Sequence, residues 1–183
     1  MYYLRGIEIE KWDGKDNLDA VSVSDLSTSD NDLSVWQIND MDELEEVGLT
    51  MALTKSSIKD VSVVILDADK ISELGLAITE QPGTSNYTEK NNLHKNISVP
   101  TFWEIGFLSE YIHEQLQDEK NFHYFAEEEL KETFYKVVKE GNMDYRHIGD
   151  KSLKNLRGAL IAICCQKKDG ELRTALEQLA PKK

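Results

Sequence analysis

The stretch VSVVILDADK, residues 61–70, decides how the first half of this chain folds. Its first six residues are almost all β-branched or aliphatic, a composition typical of a strand covered on both faces. Asp67 and Asp69 follow at the point where the apolar run ends. The run therefore predicts a buried strand over 61–66 with two acidic side chains at its carboxyl end.

The chain ahead of this strand predicts a second strand and a connecting helix. Residues 33–38, LSVWQI, have strand composition, and Asp40 with Glu43 forms a capping box for a helix over 41–55. Strand, helix and strand in this order are typical of a βαβ unit, in which the two strands lie side by side and parallel. Alternation of apolar and polar residues over 3–9 predicts one further strand.

The remaining segments predict loops and helices. An Asp-, Ser- and Asn-rich composition predicts a loop over 13–32, with room for a short strand at 19–25, and Pro-Gly with paired Asn predicts a polar loop over 79–100. Residues 70–78 fit either a short helix ending near Gly75 or a turn into another strand. Helical periodicity with capping signals predicts four helices further on, over 101–116, 124–140, 151–166 and 171–179.

Together these segments predict a single α/β domain over residues 1–183. Residues 1–78 are expected to form a mixed or parallel sheet, the loop 79–100 follows, and 101–180 is largely helical. A length of 183 residues suits one domain with a real core. The composition, 40% hydrophobic and 30% charged, is that of a folded protein.

The formal net charge is −13, and its distribution is uneven. Residues 1–120 carry 24 acidic and 9 basic side chains, whereas residues 121–183 carry 10 acidic and 12 basic ones. A negative field of this size repels the phosphates of nucleic acids and anionic membranes. We therefore expect a basic protein as partner, and neither a nucleic acid nor a membrane.

Cysteine usage and hydropathy predict a cytoplasmic location. The only cysteines, Cys164 and Cys165, are adjacent and cannot form a disulfide framework, which favours a reducing compartment. No apolar run approaches the roughly 20 residues of a membrane span. The first residues, MYYLRGIEIEKWDG, lack the pattern of a secretion signal.

The two aspartates also carry a resemblance to two enzyme classes. VVILDADKI, residues 63–71, resembles the first motif of haloacid dehalogenase-type phosphotransferases, a hydrophobic strand followed by Asp-x-Asp. It also resembles the second acidic motif of Toprim nucleic-acid enzymes. Both resemblances imply a Mg²⁺-dependent phosphoryl-transfer or hydrolytic enzyme that uses Asp67 and Asp69. Ile71 stands where the first pattern has Thr or Val, and Asn39-Asp40 where the second has Glu-Gly.

Local geometry offers a simpler role for the same acids. Asp69 precedes a short helical pattern and is predicted as its N-cap, while Asp67 is predicted to close the turn between strand and helix. The sequence contains no glycine-rich phosphate loop, and Glu110 with His113 is predicted to be a surface ion pair. We therefore expect no catalytic residue, metal site or cofactor.

The acidic cluster NDMDELEE, residues 39–46, supplies the leading functional hypothesis. Helix capping and the helix dipole account for its first acids, but Glu45 and Glu46 add repulsion that a basic partner would relieve. The sequence thus predicts a non-enzymatic binding protein of the immunity or antitoxin type, which neutralises a basic, nuclease-like toxin by occluding its active site. The alternatives are the Mg²⁺-dependent enzyme and a scaffold or assembly subunit. The predicted partner-binding residues are Asp40, Asp42, Glu43, Glu45, Glu46, Asp67, Asp69 and Tyr87.

Aromatic residues are the natural anchors of such an interface, because Tyr and Trp often dominate interface energetics. Trp36, Tyr87 and Trp103 are the candidates. For Trp36 and Trp103, burial in the core is the stronger expectation.

Overall fold

Residues 61–67 form an interior strand of a six-stranded sheet in the computed structural model of this chain. Residues 63–66 are buried, as expected for a strand covered on both faces. The structure describes residues 1–14, 17–26, 28, 30–148 and 150–179, and only the backbone of Asp150, Lys151 and Leu153. Parts of the predicted loop 13–32, and the ends of the ranges predicted to reach 180 and 183, lie outside the described residues.

The strands have the following bounds: β1 Tyr2–Gly6, β2 Asp32–Ile38, β3 Val61–Asp67, β4 Ala77–Glu80, β5 His94–Ser98 and β6 Phe122–Phe125. Their order across the sheet is β4-β5-β2-β1-β3-β6. The helices are α1 Ala20–Ser24, α2 Leu44–Ala52, α3 Ala68–Glu73, α4 Phe102–Leu116, α5 Glu127–Lys139, α6 Asp150–Lys167 and α7 Gly170–Glu177. Within the described parts of the chain, no helix has the length and apolarity needed to cross a membrane.

The α/β fold class is confirmed, and β2 and β3 run in the same direction, but they do not pair with each other as neighbouring strands of a βαβ unit would. Strand β1 lies between them and pairs with each in antiparallel orientation. Strand β5 likewise pairs antiparallel with both β2 and β4. The error has a physical reason: a continuous apolar run shows that a strand is covered on both faces, but it does not show which strands lie beside it.

The segment 79–100 is not the loop that its polarity predicts, because it contains β5. Lys95 and Asn96 on this strand are buried, and both are hydrogen-bonded: Lys95 donates to Glu80, and Asn96 to Gln81. A buried polar side chain is tolerated when its hydrogen bonds are made. Because neighbouring residues satisfy the hydrogen bonds of these side chains, a sequence as polar as HKNIS can form an interior strand.

Three shorter segments complete the comparison with the sequence. Residues 20–24 form α1 rather than a strand, because Asp19 accepts hydrogen bonds from the backbone N–H groups of Val21 and Ser22 and caps a helix. Residues 70–78 contain both predicted alternatives, the end of α3 and then the start of β4, separated by Gly75 at φ +72°. The four predicted helices are confirmed as α4 to α7, and β6 precedes the second of them unpredicted.

The chain packs as two compact units. Unit 1 comprises Met1–Glu43, Ser62–Gly83 and Asn92–Tyr124, and unit 2 comprises Leu44–Val61, Thr84–Asn91 and the chain from Phe125 onward. That these units act as a single domain stays a prediction.

Unit 1 has its hydrophobic core between the sheet and α4. The core includes Leu33, Val35, Val64, Leu66, Ile97, Leu108, Tyr111 and Ile112. In unit 2, helices α2, α5, α6 and α7 pack in succession. The buried apolar side chains of that unit include Val47, Leu49, Phe125, Phe134, Val137, Leu160 and Leu176.

Candidate functional site

The register of the sheet in unit 1 brings the ends of β2 and β3 to one place. Tyr2, the first residue of β1, pairs with Ile38 on one side and with Asp67 on the other. Both partners are the last residues of their strands, so β2 and β3 end together on either side of β1. Since neighbouring strands lie about 4.8 Å apart, the two strand ends are roughly 10 Å from each other.

Five predicted partner-binding acids follow these two strand ends within unit 1. We call this group the acidic sheet end, and it consists of Asp40, Asp42, Glu43, Asp67 and Asp69. None of the five forms an ion pair with another described residue. Their negative charge is therefore available to a partner.

At the end of β2, two carboxylates hold the turn that leads into α2. Asp40 accepts a hydrogen bond from the backbone N–H of Asp42 at 2.9 Å, and Glu43 accepts one from the N–H of Asn39 at 2.7 Å. The predicted capping box is thus displaced by one residue, because Glu43 reaches back to Asn39 rather than to Asp40. Asp40 and Asp42 remain exposed.

At the end of β3, Asp67 is the N-cap of α3. Its carboxylate accepts from the backbone N–H groups of Asp69 at 2.7 Å and Lys70 at 3.4 Å. The prediction that Asp69 caps this helix is wrong, because the helix begins directly after the strand, at Ala68. Asp69 lies in the first turn with an exposed side chain, where the helix dipole favours a negative charge.

Tyr111 on α4 fixes the backbone of this strand end. Its hydroxyl accepts a hydrogen bond of 2.9 Å from the backbone N–H of Asp67, and its side chain is buried. Burial raises the pKa of Tyr111, the bond from Asp67 N–H lowers it, and the negative charges of Asp67 and Glu114 raise it further. Tyr111 therefore stays a neutral hydroxyl that positions Asp67. The sequence identified Tyr111 only as part of a helix, because this contact joins residues 44 positions apart.

Two exposed methionines lie beside these acids. Met1 is 55% exposed and Met41 is 45% exposed. The carbonyl of Met1 accepts a hydrogen bond from the N–H of Ala68 at the start of α3, and Met41 lies between Asp40 and Asp42 in the chain. Flexible thioether side chains adapt to irregular apolar surfaces. The sequence analysis did not identify Met41, and the signal that could have done so is an apolar residue inside an acidic run.

The other three predicted partner-binding residues belong to unit 2. Glu46 forms an ion pair with Lys90 at 2.8 Å and lies 3.5 Å from the hydroxyl of Tyr87. Tyr87 is fully buried, and burial, followed by the charges of Glu46 and Glu89, raises its pKa. Tyr87 therefore presents no surface to a partner and leaves the candidate site. Ser85 stabilises the buried position of Tyr87, because its hydroxyl accepts a hydrogen bond from the backbone N–H of Tyr87.

Glu45 is exposed and lines an open pocket of about 430 Å³ in unit 2. The pocket also contains Glu129, Glu132, Lys136 and Lys167, and Lys167 pairs with Glu132 at 2.8 Å. Acidic and basic groups are thus mixed around it. This pocket lacks the single-sign charge of the acidic sheet end.

The structure also places the residues that other chemistries would use. No group of three or more His, Cys, Asp or Glu side chains is arranged to hold a metal ion among the residues that the structure describes. Cys164 is buried, and burial raises the pKa of its thiol, which opposes formation of a nucleophilic thiolate. His94 contacts the carbonyl of Gln81 through Nδ1 at 2.6 Å and packs edge-on against Trp36.

Comparison with known proteins gives no indication of function, so the proposal for function is based on the geometry of the site. No protein-family model matches the chain, and searches of characterised proteins and of solved structures found no similar protein.

Proposed function

We propose that this protein is a non-enzymatic acidic binding protein that captures a basic protein. The observation that carries the proposal is the register of the sheet, which sets the ends of β2 and β3 roughly 10 Å apart. The acids that follow these two ends form no ion pair with the described residues. A cluster of like charge on a folded surface raises the association rate with a partner of opposite charge.

The mechanism is occlusion. Lys and Arg side chains of the partner pair with Asp40, Asp42 and Asp69, and Met1 and Met41 supply apolar contact beside them. Because strand ends and a capped helix hold these acids, little conformational entropy is lost when a partner binds. The partner class that suits such a surface is a basic, nuclease-like toxin whose cationic active site would be covered, which makes the protein an inhibitor of the immunity or antitoxin type.

The test uses Asp42→Lys/Asp69→Lys, because the carboxylates of these residues accept no hydrogen bond from the described residues and are not needed for the fold. The matched control is Glu128→Lys/Glu171→Lys, which makes the same change in net charge at exposed positions of unit 2. Each variant and the wild type serve as bait for cationic proteins of the source organism at low and high salt. A captured nuclease is then assayed with and without the protein.

We expect wild type and control to capture and inhibit a basic protein, with affinity falling as salt rises, and the Asp42→Lys/Asp69→Lys variant to lose at least tenfold in affinity. Capture of no cationic protein, or equal capture by all three baits, would contradict the proposal.

The Mg²⁺-dependent alternative depends on the same strand end and is tested separately. Asp67 already uses its carboxylate to cap α3, which leaves Asp69 as the freer oxygen donor. Calorimetric titration of Mg²⁺ or Mn²⁺ into wild type and Asp67→Asn/Asp69→Asn distinguishes the two functions. Specific binding that the double variant loses would favour the enzyme.

A further inference from the structure

The outward face of α4 in unit 1 carries a stripe of two aromatic and two acidic residues. Trp103, Phe107, Glu110 and Glu114 follow one another at spacings of four, three and four residues along the helix. At 3.6 residues per turn these positions fall within an arc of roughly 60°. We call them the α4 stripe; all four side chains are exposed, whereas Leu108 and Ile112 on the opposite face are buried.

The aromatic half of the stripe is unusually exposed. Trp103 is 76% exposed, Phe107 is 45% exposed, and the adjacent Phe102 is 89% exposed. With about 200 Å² for a whole aromatic side chain, the three present roughly 400 Å² of apolar surface to solvent. Exposed apolar surface of this extent matches the largest apolar patch on a typical monomer, and such patches are often functional. The other tryptophans, Trp12 and Trp36, are 3% and 4% exposed.

Gly106 leaves open space on the surface of α4 next to these aromatic residues. Gly106 stands one turn from Phe102 and Trp103, and a Cβ added to it would meet no atom within 4 Å. Glycine lowers helix stability, so its presence here favours a surface that a partner can approach closely.

The acidic half of the stripe indicates the charge of the partner. Glu110 and Glu114 form no ion pair with any residue in the described parts of the chain. A second copy of this chain, with a net charge of −13 and the same two glutamates, would be repelled. An anionic membrane would be repelled for the same reason. A Lys or Arg side chain would pair with the glutamates and also bind over the face of Trp103 through a cation–π interaction.

The stripe lies close to the acidic sheet end. Tyr111 lies between Glu110 and Glu114 on the same helix, and its side chain is buried. Its hydroxyl accepts a hydrogen bond from the backbone N–H of Asp67 at 2.9 Å. The outward face of a helix is about 10 Å across from its inward face. Glu110 and Glu114, on either side of Tyr111 along α4, therefore lie near the end of β3.

We propose that the α4 stripe is the docking site for a basic amphipathic helix of the partner, whose apolar residues contact Trp103 and Phe107 and whose Lys or Arg residues pair with Glu110 and Glu114. This inference rests on the proposed function and deepens it. It gives the partner a chemical class, a cationic helix with apolar residues on one face, and it adds aromatic anchors to the apolar contact that Met1 and Met41 supply at the acidic sheet end.

The experiment measures fluorescence anisotropy of a labelled 18-residue peptide of Leu and Lys with helical amphipathic spacing. A Leu/Glu peptide of the same pattern serves as comparison, along with vesicles of phosphatidylcholine with and without phosphatidylglycerol. The variants are Trp103→Ala/Phe107→Ala and Glu110→Lys/Glu114→Lys, and the matched control is again Glu128→Lys/Glu171→Lys. Circular dichroism establishes that each variant is folded, and sedimentation gives the oligomeric state.

We expect the Leu/Lys peptide to bind wild type and control within threefold of each other. Both stripe variants should lose at least tenfold, and the loss caused by Glu110→Lys/Glu114→Lys should shrink at high salt. Binding should also shift the emission of Trp103 to shorter wavelength and protect it from acrylamide, since it is the exposed tryptophan.

Four results would overturn the inference: equal binding of the Leu/Glu peptide, vesicle binding that needs Trp103, self-association that Trp103→Ala/Phe107→Ala abolishes, or equal weakening by the control. If the peptide binds but the stripe variants are unaffected while Asp42→Lys/Asp69→Lys is weakened, the inference fails and the proposed function stands. If neither the Leu/Lys peptide nor any cationic protein binds, both the inference and the proposed function fail.

Discussion

Gly48, at the scale of a single residue, is a position where packing overrides helix propensity. It lies in α2, and a Cβ there would meet the ring of Phe125 at 2.6 Å. Phe125 is fully buried, so its ring has no free space into which to move. Gly48→Ala is expected to destabilise the protein by about 1–3 kcal/mol through overpacking, despite a gain of about 1 kcal/mol in helix propensity. Urea denaturation of the variant measures the change.

The matched control for this prediction is Gly158→Ala in α6. A Cβ at Gly158 meets no atom within 4 Å, so only the propensity gain remains. We expect this variant to be more stable than wild type by about 0.5–1 kcal/mol. A stabilised Gly48→Ala variant would show that the ring of Phe125 yields more readily than its burial implies.

Asp67 and Asp69 differ in what they do for the fold, although the sequence presents them as a pair. Asp67→Ala removes the N-cap of α3 and is expected to cost about 1 kcal/mol in the free energy of unfolding, whereas Asp67→Asn should cost much less, because Asn also caps helices. Asp69→Ala should change stability by less than about 0.5 kcal/mol, since its side chain is exposed. Thermal denaturation in chelator-free buffer compares the three variants. An equal cost at both positions would contradict the assignment of the cap.

Aromatic residues show the limit of prediction at this scale. Trp36 is buried, as expected. Tyr87, which was expected at the interface, is buried, and Trp103, which was expected in the core, is exposed. The fate of an aromatic side chain depends on what stands opposite it. For Tyr87 that is Glu46, 41 positions away in the chain, which no local pattern records.

Among the elements, α5 and α7 are joined by one carboxylate. Asp169 caps α7 by accepting the N–H of Leu172 at 3.1 Å, and it also accepts hydrogen bonds from Tyr135 at 2.9 Å and from Lys139, both on α5. The side chain of Asp169 is 7% exposed. The hydrogen bond from Lys139, followed by the N–H of Leu172, lowers the pKa of Asp169 to about 2.

This arrangement predicts a pH dependence of stability. Because the folded pKa of Asp169, about 2, lies below the ordinary value of 3.8, its contribution is fully present above pH 4 and is lost as the pH falls towards 2. Asp169→Asn keeps an oxygen for the cap but removes the charge that pairs with Lys139. We expect the variant to be less stable than wild type at neutral pH and its stability to change less between pH 4 and pH 2. Urea denaturation across that range gives the comparison.

Asp144 supplies the control for the pH prediction. The hydrogen bond from Arg146 also lowers its pKa to about 2, but the two residues are only two apart in the chain. Such a local pair can persist in the unfolded chain, so the difference between the folded and unfolded pKa is smaller. We expect Asp144→Asn to alter the pH dependence less than Asp169→Asn does. A larger change in pH dependence for Asp144→Asn would contradict the inference that Asp169 stabilises the packing of α5 against α7.

At the scale of the whole molecule, the net charge of −13 opposes folding by self-repulsion. Salt screens this repulsion, because the Debye length falls from about 30 Å at 0.01 M to about 8 Å at 0.15 M. We therefore expect the melting temperature to rise by a few degrees over that range of NaCl. Calorimetry in NaCl and in choline chloride separates screening from specific sodium binding. A melting temperature that falls with salt would show that attractive ion pairs outweigh repulsion.

The sequence by itself determined the local elements of this protein. The apolar run at 61–66 and the helical periodicity of α4 to α7 depend on residues near in the chain, and the structure confirms the strand and the four helices that they predict. Thr101, the N-cap of α4, is likewise a local signal. The same is true of the acids after β2 and β3, whose positions follow directly from where those strands end.

Only the tertiary structure decided which strands are neighbours and which side chains face solvent. β1 lies between β2 and β3, β5 is a strand despite its polarity, Tyr111 holds Asp67, and Trp103 is exposed on α4. The physical reason is common to all four: each depends on contacts between residues far apart in the chain. Their free energy comes from burial and hydrogen bonding in the folded state, and not from the propensity of any one segment.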